Sequence, residues 1–199
     1  MDFLSITRNR QSCRSYDKSK DIEEYKVNSI LEAARLAPSA CNGQPYHITI
    51  CTGAAASAVA EGVMSMGRNQ FASNVPMFIV ISEKPYVKHA AIGRILTNND
   101  YRSMDIGILA SHITAEATEQ GLASCILGWF DGYKIRKSCH IDSKIRLVIA
   151  VGYPTEGYEL RSKKRRDINY LVTKEDDLPS EEEVKENVLY KLWDAIKQR

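Results

Sequence analysis

Apolar positions along the chain fall into helical patterns separated by short continuous runs. The clearest helix is predicted over 101–120, where apolar side chains recur every three or four residues: Ile106, Leu109, Ala110, Ile113 and Ala117. A second helix is predicted over 21–37, with Asp21 as its cap and Pro38 as its stop. Weaker patterns predict three more helices, over 54–66, over 132–138 and from Ser180 onward.

Four runs of strand type separate these helices, at 46–51, 75–82, 124–128 and 145–153. Residues 84–100 lack a regular period and contain a proline and an Asn-Asn-Asp run, which predicts a loop or a short helix at the surface. Strands that alternate with helices predict an α/β or α+β domain of two or three layers.

The segment 154–180 is polar, charged and too long for an ordinary connection. We therefore expect it to pack against its own domain, a ligand or a second subunit.

Composition narrows the class of protein. The chain has 199 residues, 44% of them hydrophobic, and a net charge of +2, which predicts one globular domain over 1–199 and excludes a disordered chain. So small a net charge indicates no whole-protein field for nucleic acid or an anionic membrane. No apolar run approaches the roughly 20 residues of a membrane span, and arginines interrupt the N-terminus before a signal peptide can form. We expect a cytoplasmic protein.

Several common catalytic motifs are absent. The five cysteines include no Cys-x-x-Cys pair, which favours reduced thiols, and the four histidines lack metal-ligand spacing. No two of the eleven glycines are separated by a single residue, so the Gly-x-Gly-x-x-Gly fingerprint of dinucleotide-binding folds cannot occur. The chain also lacks a Gly-x-Ser-x-Gly nucleophile elbow. These absences argue against a metal enzyme and a serine hydrolase.

Three polar segments carry candidate chemistry. Residues 8–14 hold three arginines, which can bind phosphate through two parallel hydrogen bonds or form a solvated face. Residues 38–45 combine small residues with Ser39, Asn42 and Gln44, and either a ligand loop or plain turn chemistry explains them. Residues 161–166 carry five positive charges in six positions, typical of a solvated surface or a nucleic-acid patch.

Taken in order, these segments resemble the FMN-dependent nitroreductase family. The matching motifs run over residues 2–173: Arg-x-Ser-x-Arg at 10–14, Ala-Pro-Ser-x-x-Asn-x-Gln-Pro at 37–45, Asp-x-Gly at 105–107, Gly-Leu at 121–122, Leu-Gly at 127–128, Gly-Tyr-Pro at 152–154 and Lys-x-Arg at 163–165. The resemblance implies an α+β three-layer sandwich, with a mainly antiparallel sheet flanked by helices. It also implies a homodimer that exchanges its C-terminal segment, with residues 154–180 as an arm on the partner.

The resemblance also implies a set of cofactor-binding residues. Those that would hold the phosphate, ribityl chain and pyrimidine end of FMN are Arg10, Gln11, Ser12 and Arg14, and those that would clamp the phosphate are Lys163 and Arg165. Those that would reach the flavin of the other subunit are Pro38, Ser39 and Asn42. The backbone of Leu127 and Gly128 would lie over one flavin face, and Asn69 would meet the pyrimidine. Gln11 departs from the family, in which arginine is frequent at that position.

The implied activity is transfer of hydride from NAD(P)H to flavin N5 and then to nitroaromatic or quinone-like acceptors, in a ping-pong mechanism. Because the cofactor carries this chemistry, we assign no catalytic side chain. Positive charge from Arg10, Arg14 or Lys163 would stabilise the anionic reduced flavin. Cys41 and Cys125 lie inside the motifs, but a thiol there more often packs as a small apolar residue. The short stretch 84–100 leaves the substrate range open, because it covers the pocket in relatives.

Three alternatives stay open. The first is a flavin carrier or sensor without reductase activity. The second is a family member with a specialised reaction such as dehalogenation, and the third is a nucleic-acid-binding protein that uses residues 161–166. The last lacks an aromatic or helical recognition motif.

Overall fold

The computed structural model describes residues 1–174, apart from the side chain of Met66, and these residues form seven α-helices and four strands. In chain order they are α1 (Phe3–Asn9), α2 (Glu24–Arg35), β1 (Tyr46–Thr52), α3 (Gly53–Val63), β2 (Met77–Glu83), α4 (Lys88–Thr97), α5 (Tyr101–Glu119), β3 (Ala123–Leu127), α6 (Gly132–Cys139), β4 (Ile145–Gly152) and α7 (Ile168–Leu171). The helix predicted from Ser180 lies outside the described residues. The chain divides into two units, one that ends at Leu160 and one that begins at Arg161.

The four strands form one sheet in the order β1-β2-β4-β3, and every neighbouring pair is antiparallel. The strands β1 and β3 therefore lie at opposite edges. Beyond β3 the chain adds a short extension, in which Ser12 bridges Ser124 in parallel and the amide of Cys13 donates to the carbonyl of Ser124 at 2.9 Å. This extension covers part of the open edge of β3.

Both faces of the sheet are covered by helices, because its central strands are apolar on both sides. On β2, Phe78 and Val80 pack towards α3 and α6, whereas Ile79 and Ile81 pack towards α2 and α5. The predicted stripe on α5 is buried in the second of these layers. The structure thus confirms the predicted three-layer α+β sandwich with an antiparallel sheet.

One detail differs from the sequence expectations, and one that they left open is decided. The predicted cap at Asp21 is wrong, because α2 begins only after Glu23 and no side chain caps it. Just upstream, the carboxylate of Asp17 accepts hydrogen bonds from the amide and hydroxyl of Ser19 and holds the chain in a turn. The stretch 84–100 contains a full helix, α4, whose exposed side bears Ile92, Ile95 and Leu96.

The second unit begins within the segment predicted as an arm. Its first residues are extended and lead into α7, where the carboxylate of Asp167 accepts from the amide of Asn169 at 2.9 Å. The guanidinium of Arg166 lies 4.2 Å from the ring centre of Tyr170. No helix within residues 1–174 is long and apolar enough to cross a membrane.

Candidate cofactor site

The arginine segment 10–14 lies along the free edge of β3. Its first residue ends α1, where the amide of Arg10 donates to the carbonyl of Ile6 at 2.8 Å. The parallel bridge between Ser12 and Ser124 then sets the register of the segment. Arg14 is consequently level with Ile126, near the point where β3 ends. Residues far apart in sequence are thus brought together by main-chain pairing.

The side chains of this segment surround a buried thiol. Burial raises the pKa of Cys125, and the nearby charge of Arg14 and a hydrogen bond with Ser12 partly offset that increase. Cys125 lies in the core, as expected for a cysteine that packs as a small apolar residue. Arg14 is exposed, and its guanidinium has no hydrogen bond or ion pair to any other residue of the described 1–174 segment.

An open surface follows at the end of β3. Gly128 is exposed, and a Cβ built on it would meet no described atom within 4 Å. Gly128 lines a shallow cleft of about 350 Å³, and the other residues that line it are Ser65, Trp129, Phe130 and Asp131. Leu127, by contrast, is buried in the core, so only its backbone is available to a ligand. The glycine therefore leaves room for a flat group to lie against the chain.

Asn69 is tied to this cleft. It adopts a left-handed conformation, with φ of 52°, and its amide Nδ2 donates to the carbonyl oxygens of Trp129 at 3.3 Å and Val63 at 3.5 Å. Both donor hydrogens are thereby used within the protein. Its Oδ1 accepts from no other residue of the described part of the chain. Asn69 can thus offer an acceptor beside Gly128.

Trp129, which lines the cleft, and Arg68, which stacks on it, were missed at the sequence level. Trp129 is 50% exposed, and the guanidinium of Arg68 stacks 4.6 Å from its ring centre. The only available signal was position, because these residues flank Gly128 and Asn69, respectively. Trp129 thus lines the cleft beside the open glycine, and Arg68 stacks on its ring.

The loop 38–45 is shaped by side-chain hydrogen bonds. The hydroxyl oxygen of Ser39 accepts from the amide of Gln44 at 3.0 Å, and Nε2 of Gln44 donates to Oδ1 of Asn42 at 3.0 Å. Cys41, Asn42 and Gln44 all have positive φ, a conformation in which non-glycine residues are uncommon. Pro38, Cys41 and Asn42 are exposed, and Ser39 is partly buried.

Asp105 holds this loop in place from α5. Its Oδ1 accepts from the amide of Ala40 at 3.0 Å, and its side chain is almost fully buried, since the residue is only 4% exposed. Its Oδ2 has no hydrogen-bond partner. The sequence motif includes this residue, but the motif alone did not indicate that it supports the 38–45 loop.

The two parts of the predicted site lie at opposite edges of the sheet. The loop 38–45 leads into β1, and the segment 10–14 lies outside β3. Because β1 begins at the end of the sheet where β3 finishes, both parts are at the same end. Between β1 and β3 there are three interstrand spacings, about 14 Å in total. Within one chain, the structure therefore groups 10–14 with 69 and 127–128 but not with 38–45.

Lys163 and Arg165 belong to the second unit. Lys163 is partly buried there, whereas Arg165 is exposed and donates from Nη1 to the carbonyl of Lys164 at 2.8 Å. Their assignment to the cofactor phosphate stays a prediction.

Helix α4 neighbours the loop 38–45. A Cβ at Gly43 would lie 3.1 Å from a methyl group of Val87, directly before α4. The start of α5 is anchored nearby, because Glu83 accepts from Arg102 at 2.8 Å and from Arg146 at 2.9 Å. Helix α4, with its exposed apolar side, thus lies beside the loop.

Comparison with known proteins identifies the family of the chain. The sequence matches the nitroreductase family over residues 7–66 and 53–153. It is 26% identical over 200 aligned positions to an oxygen-insensitive NADPH nitroreductase of Helicobacter acinonychis (strain Sheeba), covering 84% of this chain and 94% of the relative.

Solved structures show the same fold. A nitroreductase family protein from Streptococcus pneumoniae TIGR4 has a TM-score of 0.73 and 20% identity, over 87% of this chain and all of the other. An FMN- and NADPH-dependent nitroreductase from Sphigopyxis sp. strain HMH has a TM-score of 0.72 and 17% identity, over 88% and 99% of the two chains. The chain belongs to the nitroreductase family.

Proposed function

We propose that the protein is an FMN-dependent oxidoreductase that takes reducing equivalents from NAD(P)H and passes them to nitroaromatic or quinone-like acceptors. The observation that carries this proposal is the pairing of segment 10–14 with β3. That pairing places the exposed Arg14 level with Ile126, two residues before the open backbone at Gly128. The relatives named as NADPH-dependent or FMN-dependent nitroreductases support the same chemistry.

The residues present fit FMN. Guanidinium groups on Arg10 and Arg14 suit a phosphate or the carbonyl edge of a flavin ring. The space above Gly128 suits the flat ring itself, and Oδ1 of Asn69 suits a ring N–H. Gln11 and Ser12 add neutral partners along the same strand edge, and Lys163 with Arg165 would bind phosphate.

When bound, the flavin would supply two-electron chemistry between NAD(P)H and the acceptor, and Arg10, Arg14 and Asn69 would hold it in place. The protein's contribution is to bind, orient and tune that group. Positive charge at Arg10 and Arg14 stabilises negative charge on the pyrimidine edge. The buried core behind Leu127 excludes water from one side and leaves the opposite side open to donor and acceptor in turn.

We propose that the working form is a homodimer. The loop 38–45 leads into β1, and the segment 10–14 lies outside β3, about four interstrand spacings away within one chain. If one flavin contacts both, the two parts come from different copies. The arm 154–180 would then pack on the partner, in keeping with the exposed Ile168, Tyr170 and Leu171 of its described part.

The deciding experiment has two stages. Purified protein is titrated with FMN and followed by flavin fluorescence, then reduced anaerobically with NADPH and with NADH. We expect stoichiometric uptake, bleaching by at least one nicotinamide, and reoxidation by nitroaromatic or quinone acceptors. No uptake of FMN overturns the proposal. Uptake without bleaching by either nicotinamide favours a flavin carrier or sensor.

A paired substitution tests the second unit. Arg165→Ala should weaken FMN binding, because it removes a guanidinium that donates hydrogen bonds to the phosphate. Arg166→Ala is the control, because it changes a neighbouring exposed arginine that stacks on Tyr170 and should leave FMN binding unchanged. Equal FMN affinity in the two variants would contradict the assignment of Arg165.

A further inference from the structure

Two cysteines outside the candidate cofactor site lie close together where the sheet packs against α3 and α6. Cys51 is the penultimate residue of β1, Cys139 is the last residue of α6, and their sulfur atoms are 3.8 Å apart. We propose that Cys51 and Cys139 form a redox-active dithiol that hydroperoxides convert to an intramolecular disulfide.

The pair is held together by well-packed elements. Helix α6 is seated on α3 through Ile135, which is fully buried and lies against Gly62, where a Cβ would come within 2.4 Å of it. The amide of Asp131, the cap of α6, also donates to the carbonyl of Gly62 at 2.9 Å. A disulfide has a sulfur–sulfur distance of about 2.05 Å, so the two sulfurs need to approach by less than about 2 Å. Side-chain rotation provides movement of this size.

The two thiols differ in access. Cys51 is only 1% exposed, and its burial, together with the neighbouring Cys139, raises its pKa to about 12. Cys139 is partly exposed and sits between Lys137 and His140, which line a surface hollow of about 420 Å³ with Arg136. Exposure favours reaction of a cysteine with oxidants. Cys139 is therefore the thiol that meets the oxidant.

The reaction proceeds in two balanced steps. The sulfur of Cys139 attacks one oxygen of hydrogen peroxide, breaks the O–O bond, and yields a sulfenic acid and one water. The sulfur of Cys51 then attacks the sulfenic sulfur, loses its proton, and releases a second water as the disulfide forms. Two thiols are oxidised by two electrons, and one peroxide is reduced to two waters.

The other cysteines provide internal comparisons. The thiol of Cys13 donates to the carbonyl of Ser15 at 3.1 Å, and Cys125 contacts the carbonyl of Ile126 at 4.0 Å. Both are buried, whereas Cys41 is exposed. We expect peroxide to leave Cys13 and Cys125 as thiols.

The test is a map of disulfides after peroxide treatment. Full-length protein is treated with hydrogen peroxide, alkylated without reduction and digested with trypsin. The Cys139 peptide is 138–144, whereas peptide 36–68 contains both Cys41 and Cys51. Cys41→Ser therefore accompanies the wild type and removes this ambiguity. We expect peptides 36–68 and 138–144 to be linked in both proteins and to separate on reduction.

Two variants test the order of events. In Cys139→Ser, peroxide should leave Cys51 reduced, because burial protects it. In Cys51→Ser, Cys139 should stop at the sulfenic acid, detected with a dimedone probe. Melting curves of the reduced variants check their folding, and the wild-type map does not depend on them. A disulfide between Cys41 and Cys139 in the wild type overturns the proposal. Oxidation of Cys139 to a sulfinic or sulfonic acid while Cys51 stays a free thiol also overturns it.

Discussion

The two parts of the candidate cofactor site are held in place by different kinds of interaction. The segment 10–16 is attached mainly by backbone pairing, through the bridges of Ser12 with Ser124 and of Tyr16 with Pro154. The loop 38–45 is attached by side chains, above all the carboxylate of Asp105 and the hydroxyl of Ser39. At Arg14 the first part therefore tolerates a change of side chain, whereas the second depends on particular residues.

This difference separates binding from folding. Arg14 can be devoted to a ligand because its side chain does not hold the segment in place. Ser39 and Asp105 maintain the shape of the loop, so substitutions there alter stability and the cofactor site together. The following substitutions test that distinction.

The largest effect on stability is expected from Gly152→Ala, which disturbs the packing of Tyr16 at the end of segment 10–16. A Cβ at this buried position would lie 2.7 Å from Pro76 Cδ and 3.1 Å from the ring of Tyr16. Overpacking against a rigid ring should lower the free energy of unfolding by about 3 kcal/mol. Urea denaturation measures the change, with Gly128→Ala as the control, because that Cβ enters open space. Equal stability of the two variants would show that Pro76 and Tyr16 are not tightly packed against Gly152.

Asp105→Ala should have the next largest effect. The substitution leaves the partly buried amide of Ala40 without its acceptor, which should cost about 2 kcal/mol in thermal or urea unfolding. Asp105→Asn retains an acceptor and removes a buried charge whose Oδ2 is unpaired, so its stability should equal or exceed that of the wild type. A large loss in Asp105→Asn would mean that the charge itself holds the loop.

Arg14→Ala should change binding without changing stability. Its guanidinium makes no hydrogen bond within residues 1–174, so the melting temperature should stay constant. Loss of a charge-assisted hydrogen bond to the cofactor should raise the Kd for FMN about tenfold or more. Fluorescence titration measures it, and Lys18→Ala, an exposed cation four residues along, serves as the comparison. Unchanged affinity in Arg14→Ala would remove this residue from the site.

The smallest effect is expected from Ser39→Ala. The hydroxyl oxygen accepts one hydrogen bond from Gln44 at a partly buried position, so stability should fall by less than about 1 kcal/mol. Calorimetry measures this change. Ser73→Ala, whose exposed hydroxyl donates to the carbonyl of Gln70, is the matched control. A Ser39→Ala variant that loses as much stability as Asp105→Ala would indicate that the loop unfolds as a unit.

Local patterns predicted most of the secondary structure. The stripe from Ile106 to Ala117 specified α5 because side chains three and four apart share one face of a helix, and that face is buried. Start points were less predictable. Asp21 had the residue type of a cap, but the turn formed by Asp17 and Ser19 delayed the helix. In 84–100 the weak period left a loop and a short helix both open, because the exposed apolar face of α4 lacks the usual polar contrast.

The sequence by itself indicated the candidate residues for cofactor binding: the arginines of 10–14, the polar loop 38–45 and the glycine at 128. Residue type and order along the chain are enough for that. Only the tertiary structure decided their grouping, because strand order and a parallel bridge are long-range contacts that no local pattern encodes. It placed Arg14 beside β3, set the loop at the opposite edge, and brought the sulfurs of Cys51 and Cys139 within 3.8 Å despite 88 positions of separation.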